Sequence, residues 1–198
     1  TKAPSMKQPY LLLAACTLLA TTATAQIPSG YYDSADGLTG TALKNELNDI
    51  IDDHDTYPYN STNNTDTWDI LKAADYKEGS TDSVVMFYTG WTRHGNQEYN
   101  NRDGWVREHV WAKKHGEFGT TQGAGTDCHH LRPTDNDVNI KKSNRWFDDG
   151  GTEYVDDDVY EGDGSTGCYF DSDWTWEPRD EVKGDVARSM FYMVVRYE

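Results

Sequence analysis

Basic residues are scarce. The 198-residue chain carries 18 Lys and Arg against 34 Asp and Glu, a formal net charge of −16. That excludes a general nucleic-acid coat protein, which would be basic. It leaves open an enzyme with a local basic patch. Cysteine is scarce too: there are 3, none in a C-x-x-C pair, so a structural zinc site is not indicated. No stretch reaches the ~20 apolar residues that a membrane span needs. Aliphatic residues are few, but 7 Trp and 13 Tyr are present. A ring-rich chain of this kind is not disordered throughout. Its length fits one domain with a short appendage.

The appendage is residues 1–25. Lys7 supplies a positive start, Leu11 to Leu19 an apolar run, and Ala23-Thr24-Ala25 a small-x-small cleavage site. These are the three parts of a secretory signal peptide, which leaves 26–198 as the mature domain. A lipoprotein box, Leu13-Ala14-Ala15-Cys16, ranks second. Export places Cys128 and Cys168 in an oxidising compartment, where a single bridge or two free thiols are both open. Asn60-Ser61-Thr62 and Asn63-Asn64-Thr65 match the glycosylation pattern, which carries no meaning in a bacterial protein and otherwise marks a surface loop.

Along the mature chain, Leu43, Leu47, Ile50 and Ile51 recur at helical spacing and predict a helix over 41–53. A short helical turn follows at Trp68 to Ala74, then a buried strand at Val84 to Tyr88. Residues 148–173 are rich in Asp, Glu and Gly and read as a solvated acidic loop. A calcium-loop reading of Asp156 to Glu161 fails at the positions of Tyr160 and Glu161. From Gly184, with Asp185 as cap, a helix with an apolar stripe runs to the last residue. That pattern leads to the expectation that the chain is a piece truncated at its C-terminus.

The chemistry concentrates in 102–146. This window holds eight Lys and Arg against six Asp and Glu, and four of the six His: His109, His115, His129 and His130. It reads as a strand at Trp105 to Trp111, a long glycine-rich loop, a second strand at Cys128 to Arg132, and a helix capped by Thr134 that carries Asn139 and Lys142. Glu and Asn are hard oxygen ligands suited to Mg²⁺. A neutral His can take a proton from water, and Arg can grip a phosphate with two N–H groups. The kit fits metal-assisted phosphodiester hydrolysis.

Arg107-Glu108-His109-Val110-Trp111, Asp127-Cys128-His129-His130-Leu131-Arg132-Pro133, Val138-Asn139 and Ser143-Asn144 occur in this order. Together they resemble the bacterial endonuclease I family. The tail from Lys183 to Arg188, with Phe191-Tyr192-Met193 and Arg196-Tyr197-Glu198, resembles it too. The resemblance implies an α+β fold: a ββα-metal (His-Me) finger surrounded by helices and long loops. It implies a secreted or periplasmic endonuclease that cleaves DNA, and often RNA, with little sequence preference and leaves a 5′-phosphate. His109 matches the family's general base, and Glu108 and Asn139 its metal ligands. The metal is expected to be Mg²⁺, with Ca²⁺ or Mn²⁺ as alternatives, stabilising the leaving 3′-oxygen. Arg132 is the first choice to hold the scissile phosphate and Arg107 the reserve. His130, Lys142 and Asn144 are candidates for supporting or phosphate-binding roles. A monomer is expected.

The sequence departs from the family pattern at Cys128, where Leu is common, and at Lys142, where Arg is common. The charge survives at Lys142 but a two-pronged phosphate grip does not. The bland readings put Trp105, Trp111 and Trp146 in the core rather than as base-stacking platforms, and have Asp185 and Arg188 lock the last helix to the finger. Lys141, Lys142 and Arg145 are most simply a solvated helix face, which in a nuclease is expected to touch phosphates. The alternative function is a secreted calcium-stabilised carbohydrate-binding module built on 148–173. A zinc peptidase using His109 and His115 ranks last, because H-E-x-x-H spacing is absent.

Overall fold

The computed structural model describes residues 27–100, 103–157 and 164–197. The expected signal peptide therefore lies outside the described residues. Helices and strands are mixed in an α+β arrangement. Helix α1 (Gly40–Ile51) lies near its expected position. It packs on the end of the last helix, α4 (Asp180–Tyr197). There Asn48 Nδ2 donates to the carbonyls of Val195 (2.8 Å) and Arg196 (3.0 Å). Those carbonyls belong to the last turn, where a helix has no intrahelical donors left. Helix α2 (Thr67–Ala74) starts at a capping box: Asp66 accepts from the Trp68 and Asp69 amides, and Asp69 returns a bond to Asp66 N–H.

The expected strand at 84–88 forms only in part. β1 (Ser83–Val85) pairs antiparallel with β2 (Thr92–His94). Met86, Phe87 and Tyr88 are buried but leave the ladder. The Gly90 amide closes a turn onto Met86 O (2.8 Å), with Gly90 at φ +73°, and Phe87 N–H goes to Pro133 O (2.8 Å). Burial was legible in the apolar run, but the turn ended the pairing.

At the centre, β3 (Trp105–His109) pairs antiparallel with β4 (Leu131–Asp135), His109 opposite Leu131 and Trp105 opposite Asp135. Helix α3 (Asn136–Lys142) follows directly. Two expectations are corrected here. The second strand begins three residues later than Cys128, because the Asp127 carbonyl accepts from the amides of His130 (3.2 Å) and Leu131 (3.1 Å) and folds 127–130 into a turn. The cap of α3 is Asp135, not Thr134, with its carboxylate on the Asp137 amide at 2.9 Å. Asp can accept through a charged oxygen, which favours it at a helix start.

The acidic segment is corrected in part: 152–156 and 164–170 are strands rather than loop, while residues 158–163, on which most of the calcium-loop reading falls, lie outside the described residues. β5 (Trp146–Phe147), β8 (Thr175–Glu177), β7 (Gly164–Phe170) and β6 (Thr152–Asp156) form one sheet in the order β5-β8-β7-β6. Along β7, Thr166 and Cys168 are buried, and Phe170, in step with them, packs against the core. This is the two-residue alternation of a half-buried strand, swamped in the sequence by the acids around it.

Two hydrophobic clusters flank the β3–β4 ribbon. One gathers Tyr88, Val110, Val138, Cys168, Trp176 and Val186; the other Leu71, Val84, Met86, Trp105 and Leu131, with Cys128 packed against it. The two cysteines thus belong to different clusters and both are free thiols, so the bridge does not form. Helix α4 begins before the expected Gly184, with Asp180 and Glu181 in its first turn, where carboxylates complement the helix dipole. Asp185 is therefore interior to the helix, and Arg188 pairs with it along the helix. What ties α4 to the centre is Asp127, whose carboxylate accepts from Tyr192 OH (2.7 Å) and Tyr197 OH (2.8 Å).

Candidate active site

Strand β3 ends at a cleft of 520 Å³ lined by Arg107, Glu108, His109, Lys113, Lys114, Asn139 and Asn144, among others. β3 supplies the first three, the turn after it the two lysines, and α3 and the residues that follow it the two asparagines. The β3–β4 pairing and the immediate start of α3 bring Asn139 beside Glu108 and His109, about thirty residues away in sequence.

His109 is held by the chain opposite. Its Nε2 lies 2.9 Å from Gly125 O. A carbonyl can only accept, so this bond places the ring proton on Nε2 and leaves Nδ1 bare. Nδ1 has no hydrogen bond among the described residues. Burial disfavours the charged ring and lowers its pKa to about 3, against the bond to Gly125, which raises it. The ring is therefore a neutral acceptor. His130 is held by the preceding carbonyl, Ala124 O, at 2.7 Å, and its ring centre is 5.6 Å from that of His109. Both carbonyls belong to the 3₁₀ turn Ala124–Thr126. At Gly125 a Cβ would stand 2.2 Å from Gly119 O, so only glycine fits.

Glu108 is nearly fully buried, and its Oε1 takes both Tyr88 OH (2.9 Å) and Lys142 Nζ (2.8 Å). Its Oε2 has no partner among the described residues, and neither has the carboxamide of Asn139, which is half-buried. A fixed carboxylate with one oxygen uncommitted, beside an uncommitted amide, is a hard-oxygen donor set that suits Mg²⁺. No cluster of three or more His, Cys, Asp or Glu that could hold a metal occurs among the described residues.

The remaining sequence candidates are placed as follows. Arg107 lines the cleft, but its guanidinium is sandwiched between the rings of Tyr59 (3.4 Å) and Trp68 (3.9 Å). It also donates to Tyr59 O, Thr67 Oγ1 (2.7 Å) and Asn60 Oδ1 (3.0 Å). It pins the 59–68 segment to β3. Arg132 is not among the residues lining the cleft. Its guanidinium lies 4.0 Å from Asp75 and over Phe87. Lys142 is fully buried against Glu108, which corrects its reading as part of a solvated face. Asn144 lines the cleft. His129 sits in the 127–130 turn, bonded to Asp127 at 2.8 Å. Trp105 is buried as expected, whereas Trp146 is 60% exposed. Sequence reasoning missed Tyr88, the Ala124–Gly125 carbonyls and the two cleft lysines. Only the lysines left a signal, as charges inside the basic window.

The endonuclease I family model matches residues 39–198. The chain belongs to the endonuclease I family. Two relatives are similar over 168 residues, 85% of this chain: an extracellular ribonuclease of Bacillus subtilis (strain 168) at 47% identity and an extracellular ribonuclease of Bacillus amyloliquefaciens at 46%. The match covers 54% and 53% of those proteins, so the chain spans about half the length of the curated relatives it matches. For this endonuclease I chain, neither the family nor the relatives support a carbohydrate-binding module. Among the described residues no helix is long and apolar enough to cross a membrane.

Proposed function

We propose that this endonuclease I chain is the catalytic part of a secreted, metal-dependent endonuclease that hydrolyses phosphodiester bonds, in RNA as well as DNA, and leaves a 5′-phosphate. The observation that carries it is one cleft lined by His109, Glu108 and Asn139, in which Nδ1 of His109, Oε2 of Glu108 and the Asn139 carboxamide have no hydrogen-bond partner among the described residues. The strand–loop–strand–helix that builds it is read as a His-Me finger. The extracellular ribonucleases among its relatives support secretion and an RNA substrate.

His109 Nδ1 takes the proton of the attacking water, while the Gly125 carbonyl holds the ring in the tautomer that leaves Nδ1 free. An anionic phosphodiester in the cleft favours the protonated ring and so raises the proton affinity that burial has lowered. Glu108 and Asn139 would hold a divalent cation, which supplies charge stabilisation for the leaving 3′-oxygen. Tyr88 and Lys142 keep the Glu108 carboxylate in one orientation. Lys113, Lys114 and Asn144, lining the same cleft, are better placed than Arg132 to hold the phosphate.

The test is nicking of plasmid DNA and digestion of RNA, with Mg²⁺ and with EDTA, beside His109→Ala. Cleavage should need the metal, and the variant should lose about 10²–10⁴-fold, the usual contribution of a general base. Metal-dependent cleavage at wild-type rate by His109→Ala would remove His109 from the role. Absence of cleavage by the folded wild type would overturn the nuclease reading.

A further inference from the structure

We infer that Lys142 is a built-in counter-ion for Glu108: it keeps the site formed while no metal is bound and holds the affinity for a divalent cation low. The inference rests on the reading of Glu108 and Asn139 as metal ligands. Lys142 is the last residue of α3 and has no exposed surface. Its ammonium donates to Glu108 Oε1 at 2.8 Å and to the Val110 carbonyl at 3.4 Å. The Phe147 ring centre lies 5.1 Å from it. Glu108 is 3% exposed, and Tyr88, which donates to the same oxygen at 2.9 Å, has no exposed surface either. Three side chains from separate parts of the chain thus meet in the interior, and one of them brings a full positive charge.

That charge has two effects. A carboxylate buried without a partner would be costly. Lys142 removes the cost before any metal arrives, so the metal is an exchangeable cofactor here and not a structural one. The same charge opposes a second cation on Glu108. An opposite charge beside a carboxylate lowers its affinity for a proton by about 10- to 1,000-fold, and a doubly charged ion feels the field more strongly. Among the described residues that line the cleft, Glu108 is the one carboxylate, while Arg107, Lys113 and Lys114 are cations. The lining therefore does not offset the lysine, and burial keeps its field from being screened by salt. A partner that only oriented the carboxylate would act with the opposite sign. Loss of such a hydrogen bond weakens metal binding, by about 10- to 100-fold. The sign of the change in affinity thus separates the two roles.

The experiment titrates Mn²⁺ into the full chain and reads the free ion by electron paramagnetic resonance. Lys142→Met should bind Mn²⁺ at least about 10-fold more tightly than the wild type. Lys142→Arg keeps the charge and should stay near the wild type. Tyr88→Phe removes only a hydrogen bond and should bind no more tightly. Urea unfolding with Mg²⁺ and with EDTA gives a second readout. The wild-type midpoint should move little with Mg²⁺. The Lys142→Met midpoint, low in EDTA, should rise with Mg²⁺, because the metal then supplies the missing charge. Equal or weaker Mn²⁺ binding by Lys142→Met, or a variant that stays unfolded at high Mg²⁺, would overturn the counter-ion. Asn139→Ala, which leaves the buried pair intact, separates the two readings. If it weakens Mn²⁺ binding while Lys142→Met does not tighten it, the counter-ion alone fails. If it leaves Mn²⁺ binding unchanged, the ligand reading fails and the inference with it.

Discussion

At the scale of single residues, the site depends on atoms whose freedom is set by their neighbours. Lys142 illustrates this: its ammonium is fully buried, 2.8 Å from the Glu108 carboxylate. Removing one partner of such a pair leaves the other charge buried and unpaired, at a cost of about 3–5 kcal/mol. Lys142→Met should therefore lower the denaturant midpoint sharply, and a midpoint within error of wild type would contradict the pairing. Gly125 is the second case. A methyl group there would collide with Gly119 O, so the turn carrying the Gly125 carbonyl must shift and His109 loses its anchor. Gly125→Ala should reduce the cleavage rate more than it reduces stability, read by assay and urea unfolding side by side.

At the scale of elements, Asp127 joins parts distant in sequence. It receives His129 from its own turn, Tyr192 and Tyr197 from α4, and His54, at 3.4 Å, from the segment after α1. Burial would raise its carboxyl pKa, but the hydrogen bonds from His129 and the two tyrosines outweigh burial and hold it well below the usual carboxylate range. A depressed carboxylate stabilises the fold above its unfolded pKa, and that contribution is lost as pH falls through the folded value. Asp127→Asn should thus destabilise the protein near neutral pH, by about 2–4 kcal/mol, and flatten its stability curve on the acid side below about pH 4. His130 acts in a different window. Burial lowers its pKa to about 4 against the ring's ordinary 6.5. The unfolded chain binds the extra proton between those values, so stability falls as pH drops from about 6.5 toward 4, by on the order of 1 kcal/mol per pH unit. His109, whose pKa is lowered to about 3, contributes a slope of the same sign over this range, so His130→Gln should make the slope in unfolding curves shallower without abolishing it. An unchanged slope would show that the ring is not the titrating group.

At the scale of the whole molecule, a chain of net charge −16 places Lys113 and Lys114 on the wall of its cleft. Each phosphate held by Lys or Arg releases counterions, so single-strand affinity falls with salt at a log–log slope of roughly −0.7 per contact. Replacing Lys113 and Lys114 together by Gln should weaken binding and make that slope shallower by about 1.4. A slope unchanged in the double variant would place the phosphates elsewhere.

The sequence alone determined the local matters. The helices at α1 and α2, the strand at β3, the burial of Met86 to Tyr88 and the Glu108-His109 pair all follow from spacing and residue type over a few positions, where near neighbours dominate. The family was legible because several motifs occur in one order. Other features depended on contacts between distant segments, and no local pattern encodes those. Only the tertiary structure could separate Arg132 from the cleft and turn Arg107 into a pin for the 59–68 segment. It alone could bury Lys142 on Glu108, divide Cys128 and Cys168 between two clusters, and pair β6 with β7 inside an acidic stretch. The strand register and the turn at Asp127 decided which side chains meet, because a shift of one residue sends a strand's side chains to the opposite face.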